Sequence, residues 1–229
     1  MRVQPLRALR ALVRLSANPD QTAEVFTIIE ALSGRAPLRT VARFREDPHG
    51  RALLAQRPRL LPVLANRALL ETMPHGSLAQ AYLAFLDREG ITAEGLVQAS
   101  LDGREKHLEP DSELTYVTER IRDTHDLWHT VTGYQGDVVG EAALLAFNVA
   151  QLRNPGVAAI VAAALVQYRE LDFYKLLARA FADGLRARWL AVAPWEQLLP
   201  MPLAEVRARL RVSPAPAYMP MRTRLPVAS

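Results

Sequence analysis

The stretch PDSELTYVTERIRDTHDLWHTVTGYQGDVVGEAALLAFNVAQL, residues 110–152, decides the fold because it contains two helical patterns separated by a short break. Pro110 followed by Asp111, Ser112 and Glu113 is typical of a helix start with an acidic first turn, and this helix is predicted to run to about residue 132. Residues 133–136 interrupt it, and the apolar spacing predicts a second helix over residues 138–152. Because the break is so short, we expect the second helix to fold back beside the first.

The rest of the chain shows the same helical periodicity, and runs of alternating β-branched residues that would indicate strands are almost absent. No linker or internal repeat divides the sequence. We therefore predict an all-α fold, a single irregular helical domain with its site between the two adjacent helices. The other helices are predicted at residues 22–32, 39–46, 50–55, 78–89, 157–168, 171–192 and 203–210, and residues 92–109 are expected to be loop with one turn of helix.

The composition is that of a globular protein and excludes several functional classes. Half of the 229 residues are apolar and 23% are charged, which excludes a disordered chain. The absence of cysteine excludes disulfides and thiolate metal sites. A net charge of +4 without a dense basic run argues against nucleic acid as a partner. The longest apolar run, residues 157–166, is too short to span a bilayer, so we expect the chain to be soluble or to lie on a membrane.

His125, Asp126 and His129 lie within the first of the two decisive helices. Residues four apart are separated by about 40° around a helix, so the imidazoles of His125 and His129 share one face and can converge on one ion. Asp126 lies at the edge of that face. The apolar stripe of the helix passes through the position of His125, so we expect the rings to point inward, away from bulk water.

Glu141 occupies the apolar face of the second helix, where an unpaired carboxylate would be costly. Since the two helices are expected to be neighbours, Glu141 can approach the histidines from the opposite side. The sequence thus predicts a divalent metal site, also the catalytic site, with two nitrogens and two carboxylates from His125, Asp126, His129 and Glu141. Each residue has an alternative interpretation. Either histidine could be satisfied within the core, and Asp126 could be an exposed charge or a hydrogen-bond partner. Glu141 could instead pair with Arg122 or Arg153.

Three further residues lie close to this motif. Arg122, Asp123 and Tyr134 could hydrogen-bond the ligands from a second layer, or they could be surface charges and a packing ring. A gluzincin or metzincin motif is excluded because Asp126 stands where the catalytic glutamate would be. An HD-type phosphohydrolase would need an upstream histidine, for which the candidate is His107 in a polar loop.

The order His125-Asp126-x-x-His129, eleven residues and then Glu141, resembles the signature of the coenzyme Q (ubiquinone) biosynthesis protein 4 family. The resemblance extends over about residues 22–212, and it does not include the arginine-rich start or the proline-rich tail. The other segments that carry it are Pro74-His75-Gly76-Ser77-Leu78, Tyr82, Phe85-Leu86-Asp87, Tyr116-Val117, Arg120, Trp195-Glu196 and Val206-Arg207.

The resemblance implies a function in ubiquinone biosynthesis. The implied reaction is an oxidative decarboxylation by a lyase-type enzyme, in which a hydroxyl replaces the C1 carboxyl of a polyprenylated aromatic acid. The four motif residues match the family's metal-binding positions, with zinc as the default; their chemistry also suits Fe(II), Mn(II) or Co(II), and zinc itself has no redox chemistry. The alternative function is a non-catalytic metal- and lipid-binding scaffold that organises the ubiquinone biosynthetic enzymes.

The implied partners are a polyprenylated lipid substrate, other ubiquinone biosynthesis proteins, a membrane surface bound peripherally, and a further copy of the chain. We expect a cytoplasmic location with peripheral attachment to the inner membrane if the source is bacterial. The alanine-rich surface at residues 158–164 indicates either tight helix packing or a groove for an isoprenoid tail.

The chain is accordingly divided into residues 1–20, 21–212 and 213–229. The first segment is basic and either docks on anionic lipid or frays. The middle segment is the predicted all-α metal-binding domain, and the last is a proline-rich tail that we expect to be extended or disordered. In the first segment the arginines are Arg2, Arg7, Arg10 and Arg14, and the larger apolar residues among them are Leu6, Leu9, Leu12, Val13 and Leu15.

Overall fold

Helices make up the regular structure of the protein. The computed structural model describes residues 3–18, 21–102, 109 and 111–222, and these residues contain α-helices and one short 3-10 helix but no β-strand. The all-α prediction is confirmed. In chain order the helices are α1 (Pro5–Ala17), α2 (Thr22–Leu32), α3 (Ala36–Glu46), α4 (Pro48–Gln56), α5 (Leu61–Ala65), α6 (Arg67–Glu71), α7 (Leu78–Glu89), α8 (Gly95–Asp102), α9 (Glu113–Asp123), α10 (His125–Thr132), α11 (Val138–Leu152), α12 (Pro155–Gln167), α13 (Leu171–Arg186), α14 (Trp195–Leu198) and α15 (Leu203–Leu210).

The long helix expected to end near residue 132 is two helices, α9 and α10, that meet at Thr124. This residue has φ −86° and ψ −3°, and its hydroxyl donates to the carbonyl of Ile121 at 3.0 Å. A threonine hydroxyl bonded to its own backbone in this way competes with the helical hydrogen bonds and bends the chain. His125 and His129 both lie in α10, so the break leaves their i, i+4 relation unchanged.

Other departures from the prediction fall where the apolar pattern is short. Residues 92–109 contain the two-turn helix α8, and the segment expected as one helix over residues 171–192 divides into α13 and a 3-10 helix at Leu190–Val192. Helices α5, α6 and α14 have five, five and four residues. All three are much shorter than the window of about 11–18 residues over which helical periodicity can be recognised, so the sequence did not predict them.

The main core surrounds α10 and α11. Trp128 and Phe147 are fully buried, and their rings meet edge to face with centroids 6.2 Å apart. Along its length α11 packs against α13, where Gly184 permits backbone contact: a Cβ at this position would lie 2.6 Å from the carbonyl oxygen of Phe147. This packing fixes α11, and with it the first turn that carries Glu141.

A buried ion pair joins α9 to the C-terminal part of the chain. The Arg120 guanidinium donates to both carboxylate oxygens of Glu196, at 2.9 and 3.0 Å, and to the carbonyl of Ala193 at 3.2 Å. The Arg120 side chain is only 1% exposed. The Glu196 side chain is 28% exposed, so the guanidinium is enclosed whereas the carboxylate that neutralises it through two hydrogen bonds lies at the edge of the core.

Helices α1, α2 and α12 form a second, smaller apolar core. An ion pair between Arg7 and Glu30, with a closest N–O distance of 2.7 Å, also ties α1 to α2. Residues 5–17 therefore form a helix packed on the rest of the protein, and the frayed alternative does not describe them. The division of the chain at residues 20 and 212 stays a prediction.

The described part of the proline-rich tail, residues 213–222, has no regular secondary structure and lies against the loop between α10 and α11. The Ala215 N–H donates to the carbonyl of Thr132 at 2.6 Å, and the Val138 N–H donates to the carbonyl of Met221 at 2.9 Å. The last part of the predicted tail, residues 223–229, lies outside the described residues.

Candidate metal centre

Helix α10 presents His129 with its Nε2 free to bind a ligand. Its Nδ1 lies 2.9 Å from the backbone carbonyl of Tyr134, and because a carbonyl only accepts, this contact places the proton on Nδ1. The side chain is fully buried, and the ring of Phe85 stacks on it with centroids 5.1 Å apart. Nε2 is buried and receives no hydrogen bond from the described residues, and the Glu141 oxygen 3.2 Å away is itself an acceptor. A buried lone pair without a partner is costly, so this atom is suited to an ion.

His125 lies one turn earlier on the same face of α10, with its ring centroid 4.8 Å from that of His129. Its Nδ1 is 3.1 Å from Oδ1 of Asp126, so the carboxylate accepts from this ring nitrogen and turns Nε2 toward Glu141. The structure thus places the Asp126 carboxylate behind His125. In this geometry Asp126 orients His125. The prediction made Asp126 a fourth ligand, but the group whose ligand atoms lie together contains only His125, His129 and Glu141 among the described residues.

Glu141 reaches the histidines from the first turn of α11. Asp137 caps this helix by accepting from the N–H groups of Val139 at 3.0 Å and Gly140 at 3.3 Å. Oε1 of Glu141 lies 3.2 Å from Nε2 of His129, and Oε2 lies 3.8 Å from Nε2 of His125.

One ligand atom from each of His125, His129 and Glu141 lies within 4.8 Å of the other two. A neutral imidazole lone pair and a carboxylate oxygen are both acceptors, so their approach requires a proton or a cation between them. The three side chains are therefore a group that could hold a metal ion.

The charges of these groups are strongly coupled. Burial alone would raise the pKa of Glu141, but the two histidines lower it to about 2, so the carboxylate is ionised at neutral pH. Burial alone would lower the pKa of His125. The hydrogen bond to Asp126 and the negative charge of Glu141 together have a larger, opposite effect, so the pKa of His125 lies above its ordinary value. A metal ion would take the place of the proton that these groups otherwise share.

The three residues proposed as a second layer take different positions. Arg122 donates to Asp123 at 2.8 Å through Nε, so it is not the partner of Glu141. Tyr134 acts on His129 through its backbone carbonyl, and its phenol ring lies toward Tyr218, with centroids 6.4 Å apart. His107, on which the HD-type alternative depends, lies outside the described residues.

A cavity of about 1210 Å³ adjoins the metal centre. Its wall includes His125 and Glu141 together with apolar side chains of α1, α2, α11 and α12. The alanine-rich surface contributes Ala163 and Ala164 to this wall, whereas the start of α12 packs so tightly that a Cβ on Gly156 would lie 2.7 Å from the Cα of Ile29. Part of the surface thus faces the cavity; that this part receives an isoprenoid tail stays a prediction.

None of the helices within residues 3–18, 21–102 and 111–222 is both long and apolar enough to cross a bilayer.

A profile of the coenzyme Q (ubiquinone) biosynthesis protein Coq4 family matches residues 5–216. The chain belongs to the Coq4 family. The resemblance stated from the histidine, aspartate and glutamate spacing is therefore confirmed. The match covers α1 through α15, so it includes all three members of the metal group.

Curated Coq4 relatives include the mitochondrial ubiquinone biosynthesis protein COQ4 of Clavispora lusitaniae, 29% identical over 90% of this chain and 64% of that protein. The mitochondrial protein of the same name from Aspergillus flavus is 33% identical over 77% of this chain and 60% of that protein. The chain thus spans somewhat less than two thirds of the length of these relatives. A crystal structure of a protein from Nostoc punctiforme PCC 73102 has 24% sequence identity to this chain and a TM-score of 0.64. The match covers 91% of this chain and 98% of the Nostoc chain, and it shows the fold.

The names of these Coq4 relatives correct one expectation. A cytoplasmic location with attachment to a bacterial inner membrane was predicted, and it is wrong by this comparison because the relatives are named as mitochondrial proteins.

Sequence reasoning missed one contributor to the site. Phe85 stacks on His129 from α7, and an apolar position on a helix gave no signal that its ring covers a histidine. Tyr134 was named as a possible hydrogen-bond partner of the ligands and is one, but through its backbone carbonyl, which has no signature in the residue type.

Proposed function

We propose that the protein acts in ubiquinone biosynthesis as a metal-dependent enzyme that replaces the C1 carboxyl of a polyprenylated aromatic acid with a hydroxyl. The observation that supports this proposal most directly is the group of two histidines and one glutamate, of which His125 and Glu141 lie on the wall of a large, mostly apolar cavity and His129 is buried behind it. A polar reacting ring would lie at the metal centre and its isoprenoid tail along the apolar wall. The relatives' names as ubiquinone biosynthesis proteins support the same pathway.

The donor set fits a divalent cation. His125 and His129 would bind through Nε2 and Glu141 through its carboxylate, and the unpartnered Nε2 of His129 is the atom that most needs such an ion. Two histidines and one carboxylate form the ligand set of catalytic zinc sites and of non-haem Fe(II) oxygenases, with positions left for substrate. When bound, the ion would supply Lewis acidity to a carboxylate and phenolate on the same ring.

The protein's own groups prepare this site. Asp126 and the carbonyl of Tyr134 hold the two imidazoles in one tautomer each, and Phe85 blocks rotation of His129. The apolar side chains of the cavity keep water away from the tail. Replacement of a carboxyl by a hydroxyl is an oxidation overall, so the reaction needs an oxidant such as O₂ in addition to the protein.

Glu141→Gln is expected to lower decarboxylation by about two orders of magnitude, because the amide keeps the shape of the side chain but removes the anionic ligand. The measurement is release of labelled CO₂ from a carboxyl-labelled polyprenyl 4-hydroxybenzoate-type acid by metal-loaded protein in air-saturated buffer, in which O₂ is the oxidant. The matched control is Glu170→Gln, which neutralises an exposed glutamate and should leave the rate unchanged.

Wild-type protein that holds metal and the lipid but releases no CO₂ would end the enzyme proposal. Retained binding of other ubiquinone biosynthesis proteins under those conditions would favour the scaffold alternative.

We also propose that α1 docks on an anionic membrane surface. Its outer face is apolar, with Leu6, Leu9 and Val13 exposed by 72%, 58% and 63%. The helix has no acidic residue, and of its three arginines Arg7 and Arg14 pair with glutamates of α2 whereas Arg10 is exposed. Its inner face lines the cavity through Leu12 and Leu15. The helix would therefore lie between a lipid surface and the cavity that receives a lipid tail.

Leu9→Asp is expected to reduce binding to vesicles containing anionic phospholipid by about tenfold or more, because one large apolar side chain no longer enters the lipid. Co-flotation with vesicles of stated composition measures this. The control is Leu185→Asp on α13, which changes an equally exposed leucine, 60% exposed, outside α1. Equal binding of both variants, or no preference for anionic over neutral vesicles, would exclude α1 as the docking element.

A further inference from the structure

The C-terminal segment 213–222 is bound to the loop that connects the two ligand-bearing helices. Tyr218 is central to this contact: its hydroxyl accepts from the N–H of Gln135 at 2.9 Å and donates to Oδ2 of Asp137 at 2.9 Å. The contact is close, since a Cβ on Gly140 would lie 2.5 Å from the Tyr218 hydroxyl oxygen. Tyr218 lies beyond residues 5–216, the stretch that the family profile matches.

Asp137 connects this segment with α11. Its side chain is buried, and Oδ1 accepts from the backbone N–H groups of Val139, Gly140 and Met221, at 3.0, 3.3 and 2.9 Å. One carboxylate thus caps the helix that carries Glu141 and at the same time binds the C-terminal segment. Because Oδ2 has the Tyr218 hydroxyl as its donor, the orientation of the cap depends on Tyr218.

The same segment also fixes the end of α10. Ala215 donates to the carbonyl of Thr132, the last residue of α10, at 2.6 Å. The loop that follows contains Tyr134, whose carbonyl accepts from His129 Nδ1. The segment ends on an ion pair between Arg222 and the buried Glu89, with distances of 2.9 and 3.2 Å.

We propose that residues 213–222 are a positioning strap for the metal centre, in which Tyr218 acts through Asp137 and the 133–137 loop to hold Glu141 and His129 in place. The Tyr218 hydroxyl bonds to Gln135 and Asp137 and not to a ligand side chain, and Tyr218 does not line the cavity, so it is a positioning residue. The proposal rests on the metal site of the proposed function. It concerns how this chain holds its own ligands and does not depend on which reaction follows.

The test is Tyr218→Phe, which removes one oxygen atom and keeps the ring. Zinc and cobalt affinities of the full chain are measured by competition with a chelator, and the expected loss is about tenfold, comparable with other residues that orient metal ligands. The matched control is Tyr174→Phe. It removes a tyrosine hydroxyl that donates to the carbonyl of Leu165 at 3.0 Å on α13 and α12, and its affinity should be unchanged.

A second measurement needs no metal. In histidine-labelled protein without metal, NMR should show the Nδ1 proton of His129 protected from exchange with solvent in wild type. In Tyr218→Phe this exchange should be about tenfold faster, because the loop that carries its acceptor is held less firmly. In Tyr174→Phe it should match the wild-type rate.

If Tyr218→Phe keeps the metal affinity and the His129 Nδ1 proton exchange rate of the wild type, the proposal that residues 213–222 position the metal centre is wrong. Equal losses of melting temperature in both variants with unchanged affinity and exchange would also overturn it, since the tail would then only stabilise the fold. If the wild-type protein does not bind metal, the proposed function is wrong. The exchange rate of the His129 Nδ1 proton would still decide whether Tyr218 positions His129.

Discussion

His129→Ala is expected to abolish stoichiometric binding of a divalent metal, with an affinity loss of at least about 100-fold. The variant removes the Nε2 atom that is buried without a hydrogen-bond partner and lies 3.2 Å from the Glu141 carboxylate. The remaining His125 and Glu141 would leave an ion with two protein ligands. Elemental analysis by plasma mass spectrometry after metal loading and desalting gives the ratio of metal to protein.

The control for this variant is His75→Ala, which removes an exposed histidine and should keep the wild-type ratio. Because His129→Ala also removes the partner of the Phe85 ring, circular dichroism should be recorded on the same samples to show that the helices remain. A folded His129→Ala protein with unchanged metal content would refute the metal centre.

Glu196→Ala is expected to lower the free energy of unfolding by about 3–5 kcal/mol, because it leaves the buried Arg120 guanidinium without its counter-ion. The carbonyl of Ala193, 3.2 Å from the guanidinium, is the partner that remains. Urea unfolding followed by circular dichroism measures the change. As a control, Glu205→Ala breaks an exposed pair with Arg209 on α15 and should cost about 0.5 kcal/mol or less. A loss for Glu196→Ala no larger than the control's would contradict the prediction.

The same pair gives a dependence on pH. Burial alone would raise the pKa of Glu196. The hydrogen bonds and charge of Arg120 together have a larger, opposite effect, so in the folded protein the pKa of Glu196 lies below the ordinary carboxyl value. A lowered carboxyl pKa contributes stability that is fully present above the unfolded-state pKa and is lost as the pH falls through the folded-state pKa. When the pH falls below about 4.5, the free energy of unfolding of Glu196→Ala should therefore decrease less than that of the wild type, because the variant lacks this carboxylate.

The metal group could be predicted from the sequence because its determinants are local. Helix geometry alone places histidines at i and i+4 on the same face. The break at residues 133–136 is so short that α11 must lie beside α10. Glu141 was identifiable because a carboxylate on an apolar face needs a partner. These arguments bring the three side chains together; that they bind a metal remains a prediction.

The parts that could not be predicted depend on distant residues or on the backbone. Nothing in the spacing shows that the Asp126 carboxylate turns to His125, since the edge of a helix face permits either direction. The Arg120–Glu196 pair joins residues 76 positions apart, and the order of the helices in the sequence does not determine which ends meet. The tail was recognised as non-helical from its prolines, but its hydrogen bonds to Asp137 involve main-chain atoms that every residue has.

The two histidines of the centre differ in what holds them, and this affects how the site tolerates genetic change. The acceptor for His129 is a peptide carbonyl, which every residue type at position 134 would supply, so no single codon change there deletes the bond directly. The acceptor for His125 is the carboxylate of Asp126, which one nucleotide change can remove. The hydrogen bond therefore constrains the residue type at position 126 but not at position 134, where the buried Tyr134 side chain is constrained only by its packing in the core.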